Sequence, residues 1–120
     1  MNNILLRQLD GQRTPLEATV TQFGVTEGYK GYIRTVLLTH ITTADGTPLL
    51  DEYWCALTQG LKALRLQPGD RIAFCARVKL VRTRTRRYFR VTSVLEGRPV
   101  TLNRPTHLRI ILLSEAEATH

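Results

Sequence analysis

Hydrophobic and polar positions alternate with a period of two along much of this chain. LEATVTQF (16–23) sets Leu16, Ala18 and Val20 on one side and Glu17, Thr19 and Thr21 on the other, which predicts a strand. GVTEGYKG (24–31) holds three glycines in eight residues and reads as a loop. YIRTVLLTHIT (32–42) is a long β-branched strand, with Ile33, Leu37 and Ile41 expected on one face and Tyr32, Arg34 and His40 on the other. Asp45-Gly46 is a hairpin turn signal, and LLDEYWCAL (49–57) is its returning partner. RIAFCARVKLV (71–81) puts Ile72, Phe74, Ala76, Val78 and Leu80 inward and Arg71, Arg77 and Lys79 outward. YFRVTSVL (88–95) is a further strand, with Phe89 inward and Tyr88 and Arg90 outward.

One segment breaks the pattern. TQGLKALRLQ (58–67) is a short helix, capped by Thr58 and with Leu61 and Leu64 on one face, and Pro68-Gly69-Asp70 ends it. Residues 1–14 are polar with little periodicity and are expected to form an arm. Residues 98–120 are an extension in which Leu108 to Leu113 is the one apolar run. That run fits a sixth strand, the start of a helix, or a surface for self-association. The expected class is therefore all-β, a single domain over 15–97 with one helix.

Charge adds what alternation does not show. The net charge is +7, and fourteen of the seventeen cations are Arg. Residues 1–59 carry four cations against six anions, whereas residues 60–109 carry thirteen against two. Arg has a planar fork that pairs with phosphate and stacks on bases, so the concentration of Arg in one half suggests a footprint for a polyanion. Its densest part, RTRTRR (82–87), falls between two predicted strands and is expected at the tip of their hairpin.

Catalysis and metal binding find little purchase. The chain has no GxxxxGK[ST], HExxH or GxSxG motif, and Asp51 and Glu52 are adjacent in a strand and so point to opposite faces. Cys55 and Cys75 are twenty positions apart and form no CxxC pair, and His40, His107 and His120 are scattered. Both thiols are expected free and buried, as in a reducing cytoplasm. No cofactor is expected. No apolar run approaches the roughly 18–20 residues of a membrane helix, and MNNILLRQLDGQR lacks the layout of a secretory signal.

The order of strand, Gly-rich loop, long strand, hairpin, strand, short helix, strand, basic loop and strand resembles the OB-fold, with QPGDRIAFCARV similar to that superfamily's approach to its fourth strand. The resemblance covers residues 15–96. It implies a five-stranded Greek-key barrel with a helix between strands three and four. It also implies a binding surface on strands two and three, flanked by the loops at 24–31 and 82–87. Single-stranded nucleic acid needs cations for its phosphates and flat side chains for its bases. Lys30, Arg82, Arg84, Arg86 and Arg87 are the expected phosphate contacts, extended by Arg34, Arg77, Lys79 and Arg90, and Tyr29, Tyr32, Trp54 and Tyr88 are the expected stacking residues. The expected function is non-catalytic binding of single-stranded DNA, largely without sequence preference, with RNA the close competitor. The alternative is an accessory subunit that docks on a larger protein or nucleoprotein, using Leu108 to Leu113.

Overall fold

The computed structural model describes residues 2–28, 30–80, 94–95 and 98–112. The elements in chain order are α1 (Asn3–Leu9), β1 (Arg13–Gly28), β2 (Gly31–Thr43), β3 (Pro48–Ala56), α2 (Gln59–Ala63), β4 (Arg71–Leu80), β5 (Val94–Leu95) and β6 (Arg98–Leu112). The protein is mainly β. Five long strands pair antiparallel in the order β3-β2-β1-β4-β6, and two-residue β5 lies on the first residues of β6. The sheet is not closed, since among the described residues no pairing joins β3 to β6.

The alternation in the sequence accounts for the core. Leu16, Ala18 and Val20 of β1, Val36, Leu38 and Ile41 of β2, and Ile72, Phe74, Ala76, Val78 and Leu80 of β4 all face one side and are buried. Leu6 of α1 and Leu61 of α2, at 0% and 1% exposure, cover that face from outside the sheet. Thr58 caps α2 by accepting from the Leu61 amide, as its place before the helix predicts. Asp45 organises the β2–β3 turn, accepting from the Thr43 hydroxyl and, at 3.1 Å, from the Thr47 amide, while Gly46 takes φ +90°. These bonds hold the exposed Asp45 carboxyl below its ordinary pKa.

Four expectations are corrected. The described partners of β4 are β1 on one edge over Arg71–Arg77 and β6 on the other over Arg71–Leu80, where a hairpin with 88–95 is the expectation. Val94 and Leu95 pair instead with Pro99 and Arg98, and 81–93 lie outside the described residues. The 98–120 segment, expected as an extension, supplies the long strand β6, with Val100 and Leu102 in the core. Arg104 and His107 there adopt φ +51° and +54°, and the register against β4 shifts around them. Such bulges break the period-two pattern that identifies a strand.

The N-terminal arm is in fact a helix. Asn2 caps it by accepting from the Leu5 amide at 3.1 Å, and Leu5, Leu6 and Leu9 turn one face to the core. The Gly-rich loop is largely strand: β1 runs to Gly28, and Phe23 to Gly28 pairs with Gly31 to Val36. This distal half of β1 and β2 forms a ribbon. β4 pairs with β1 only from Arg13 to Thr19, and β3 reaches β2 only as far as Thr35.

Candidate functional site

The face of the sheet away from the core carries Thr35, Leu37 and Thr39 of β2, and Trp54 pairs directly with Leu37 across β2 and β3. Tyr53, one position earlier, packs against the core. Of the adjacent aromatic pair, Trp54 is therefore the one on the outer face. It is half-buried because its ring lies across β1 at Gly24: a Cβ at Gly24 would stand 3.1 Å from Cζ3 and 3.3 Å from Cη2 of the indole. The glycine permits a close approach of ring to backbone. Leu37 beside the ring is 7% exposed.

The ribbon continues from this platform. Tyr32 is 80% exposed opposite Glu27, and Arg34, also exposed, stands opposite Val25. Lys30 is exposed at the turn, next to Gly31 at φ +119°. Tyr32 and Arg34 alternate in phase with Val36 and Leu38, so they extend the core-side face beyond the core. Phe23 and Val25 share that face and are 43% and 59% exposed. The ribbon thus presents Phe23, Val25, Tyr32 and Arg34 on one face, with Trp54 at the base of the other.

Arg77 and Lys79 are exposed on the outer face of β4 but at the opposite end. Arg77 pairs with Arg13 at the start of β1, whereas Gln22 is the β1 neighbour of Leu37. The stretch of β1 between these points is roughly 30 Å of extended chain. The structure therefore places Tyr32 and Arg34 on one face of the ribbon, Trp54 at the base of the other face, Lys30 at the turn between β1 and β2, and Arg77 and Lys79 at the far end of the sheet. Tyr29, Arg82, Arg84, Arg86, Arg87, Tyr88 and Arg90 lie outside the described residues.

Arg71, expected simply to point outward, ties three strands together. Its Nη1 donates to Thr19 Oγ1 and the His40 carbonyl, and its Nη2 to Thr42 Oγ1, each at 3.0 Å. Its Nε lies 3.6 Å from Glu17. A guanidinium engaged at every edge is a structural clamp and leaves little for a ligand.

Sequence reasoning missed Gly24, Phe23, Val25 and Arg13. Gly24 carried a signal, since an isolated glycine in a strand pattern often marks close approach. Val25 and Phe23 continue the alternation of LEATVTQF through the glycines. Both cysteines are free; Cys55 is buried and Cys75 partly exposed. Burial pushes the Cys55 thiol up to about 11. Among the described residues no group of three or more His, Cys, Asp or Glu is placed to hold a metal ion, and no helix is long and apolar enough to cross a membrane. No protein-family model, no curated protein and no solved structure matches the chain.

Proposed function

We propose that this chain is a non-catalytic, OB-type binder of single-stranded nucleic acid, with DNA as the first expectation and little sequence preference. The observation that carries the reading is Trp54, held against Gly24 on the outer face at the base of a ribbon whose turn exposes Lys30 and whose other face exposes Tyr32 and Arg34. A half-buried ring on a rigid sheet is a stacking platform that loses little entropy on binding, and base stacking contributes roughly 1–3 kcal/mol per base. Nearby cations supply the phosphate contacts. What supports the OB-type reading is that β1 pairs with both β2 and β4 and that α2 follows the third strand, an order compatible with a five-stranded Greek-key barrel left open between β3 and β6. Leu108 of β6 reaches Gly60 of α2, so the helix sits in that gap.

Trp54 is the one tryptophan of the chain, so its emission reports the site alone. Oligothymidine should quench it, with parallel anisotropy titrations favouring single-stranded over double-stranded DNA of matched length. Absence of quenching and of binding to any oligonucleotide at low salt overturns the reading.

A second reading draws on a separate observation. Phe23, Val25 and Tyr32 form an exposed apolar strip on the ribbon, which suits an accessory subunit docking on a larger protein. Phe23→Ser with Val25→Thr distinguishes the two, since it removes the strip and leaves the Trp54 platform intact.

A further inference from the structure

Arg13 and Arg77 stand directly opposite each other on β1 and β4, and Lys79 follows Arg77 on the same face. All three are exposed. Like charges directly opposite on neighbouring strands are destabilising. Among the described residues no carboxylate is ion-paired with Arg13, Arg77 or Lys79: Glu17 on this face is engaged by Arg71, and the Asp10 carboxylate near Lys79 is occupied by the Leu80 amide at 2.9 Å. On the other side of β4, β6 offers uncharged Asn103 against Arg77 and uncharged Thr101 against Lys79. Arg13 is also held in place, its Nη2 donating to the Arg104 carbonyl at 2.8 Å and to the Thr106 hydroxyl. Neutral acceptors fix that guanidinium without cancelling its charge.

This cluster shares the outer face with Trp54 but lies roughly 30 Å of strand away along β1. Its chemistry is different too, since no aromatic side chain of β1, β4 or β6 shares the outer face there among the described residues. We infer that Arg13, Arg77 and Lys79 form a separate anion-binding locus that takes the phosphate backbone alone. A strand must then be long to engage this locus and the Trp54 platform together. The inference rests on the nucleic-acid reading for its ligand, while the locus itself is a property of the charges.

The test is a variant with Arg77→Thr and Lys79→Thr, which keeps β-forming residues and relieves the repulsion with Arg13. Its unfolding midpoint in urea should equal or exceed that of the parent chain. Affinity for an oligothymidine of about 16 nucleotides should fall, while one of about 4 nucleotides should bind and quench Trp54 as before, these being the ends of the range one OB-type unit covers. The log–log salt slope for the long ligand should flatten by about 1.4, two contacts at about 0.7 each. Unchanged affinity and slope for the long ligand, with quenching intact, overturn the locus and leave the stacking site standing. Equal losses for both lengths overturn the separation of the two ends. Heparin serves as a polyanion without bases. If oligothymidine fails to bind but heparin binds the parent and not the variant, the locus holds and the nucleic-acid reading falls. If neither binds, both fall.

Discussion

The indole of Trp54 and the backbone of Gly24 are in mutual contact across the sheet, thirty residues apart in the chain. The built Cβ at position 24 would lie 3.1 Å from the ring and 3.2 Å from Thr35 Oγ1. An added methyl must displace one of them by a few tenths of an ångström, and a branched side chain cannot be accommodated without moving the indole. Gly24→Ala gains some strand entropy that offsets its crowding, so its effect on stability should be small. Gly24→Val should cost about 1–3 kcal/mol, the usual range for overpacking. It should also shift tryptophan emission to the red as the ring is lifted into water. Urea unfolding followed by fluorescence reads both, and a Val variant with the parent's midpoint and spectrum contradicts the contact.

Cys55 sets a pH dependence on the alkaline side. The folded thiol titrates near 11 against an ordinary value of 9.0, because burial disfavours the thiolate. The raised folded value means the contribution is fully present below pH 9 and is lost as pH rises through 11. In that window the unfolded chain releases a proton the folded chain keeps, so stability falls by up to about 1.4 kcal/mol per pH unit. Cys55→Ala removes this component, and its unfolding free energy should decline less steeply between those limits than the parent's. Parallel slopes in the two proteins count against it. Iodoacetamide at mildly alkaline pH should modify the partly exposed Cys75 of the folded protein before Cys55.

Arg71 is where a conservative substitution should fail. Its guanidinium spans Thr19 on β1 and Thr42 on β2, with the His40 carbonyl between. His40 itself sits at φ +49° in a bulge, so the clamp holds the strand where its ladder is interrupted. Lysine keeps the charge and loses the fork. Arg71→Lys and Arg71→Ala should therefore each lose about 1–3 kcal/mol, the range for hydrogen bonds to a charged donor. A lysine variant with the parent's stability would reduce the clamp to a simple charge contact with Glu17.

Some of this architecture is legible in the residues and some is not, for physical reasons. β4 was readable because its alternation is unbroken from Arg71 to Leu80, and the Asp45-Gly46 turn because its chemistry is local. A sixth strand was one reading of Leu108 to Leu113, but the start of β6 at Arg98 and its place in the core were not legible, because positive-φ bulges at Arg104 and His107 reset which residues face the core. The helix α1 was missed because Leu5, Leu6 and Leu9 are its core-facing apolar residues, and seven residues are about two turns, too few for the pattern to repeat. The candidate site divides the same way. The facing expected for β2 fails, since Tyr32 and Arg34 are in phase with core Val36 and Leu38 and are exposed because the ribbon outruns the core, with a bulge at His40 returning Ile41 to the core side. The Trp54 platform depends on a contact between distant residues, which no local pattern encodes. Grouping Arg77 and Lys79 with the stacking residues overlooked how far β1 separates them.

The role of β6 gives the sharpest contrast between two leucines of one strand. Leu102 is 4% exposed within the core, and Leu112 near the strand's end is 64% exposed. Leu102→Ala removes buried methyl groups and leaves a cavity beside Val78 and Leu80, so it should cost about 2–5 kcal/mol. Leu112→Ala, with most of its side chain already in water, should stay within about 0.5 kcal/mol of the parent. Chain truncation after residue 97 goes further, stripping β4 of one edge and the core of Val100 and Leu102. The truncated chain should lack a cooperative unfolding transition by circular dichroism. If it folds with the parent's midpoint and Leu102→Ala is silent, β6 is an appendage to the sheet and the core must close without it.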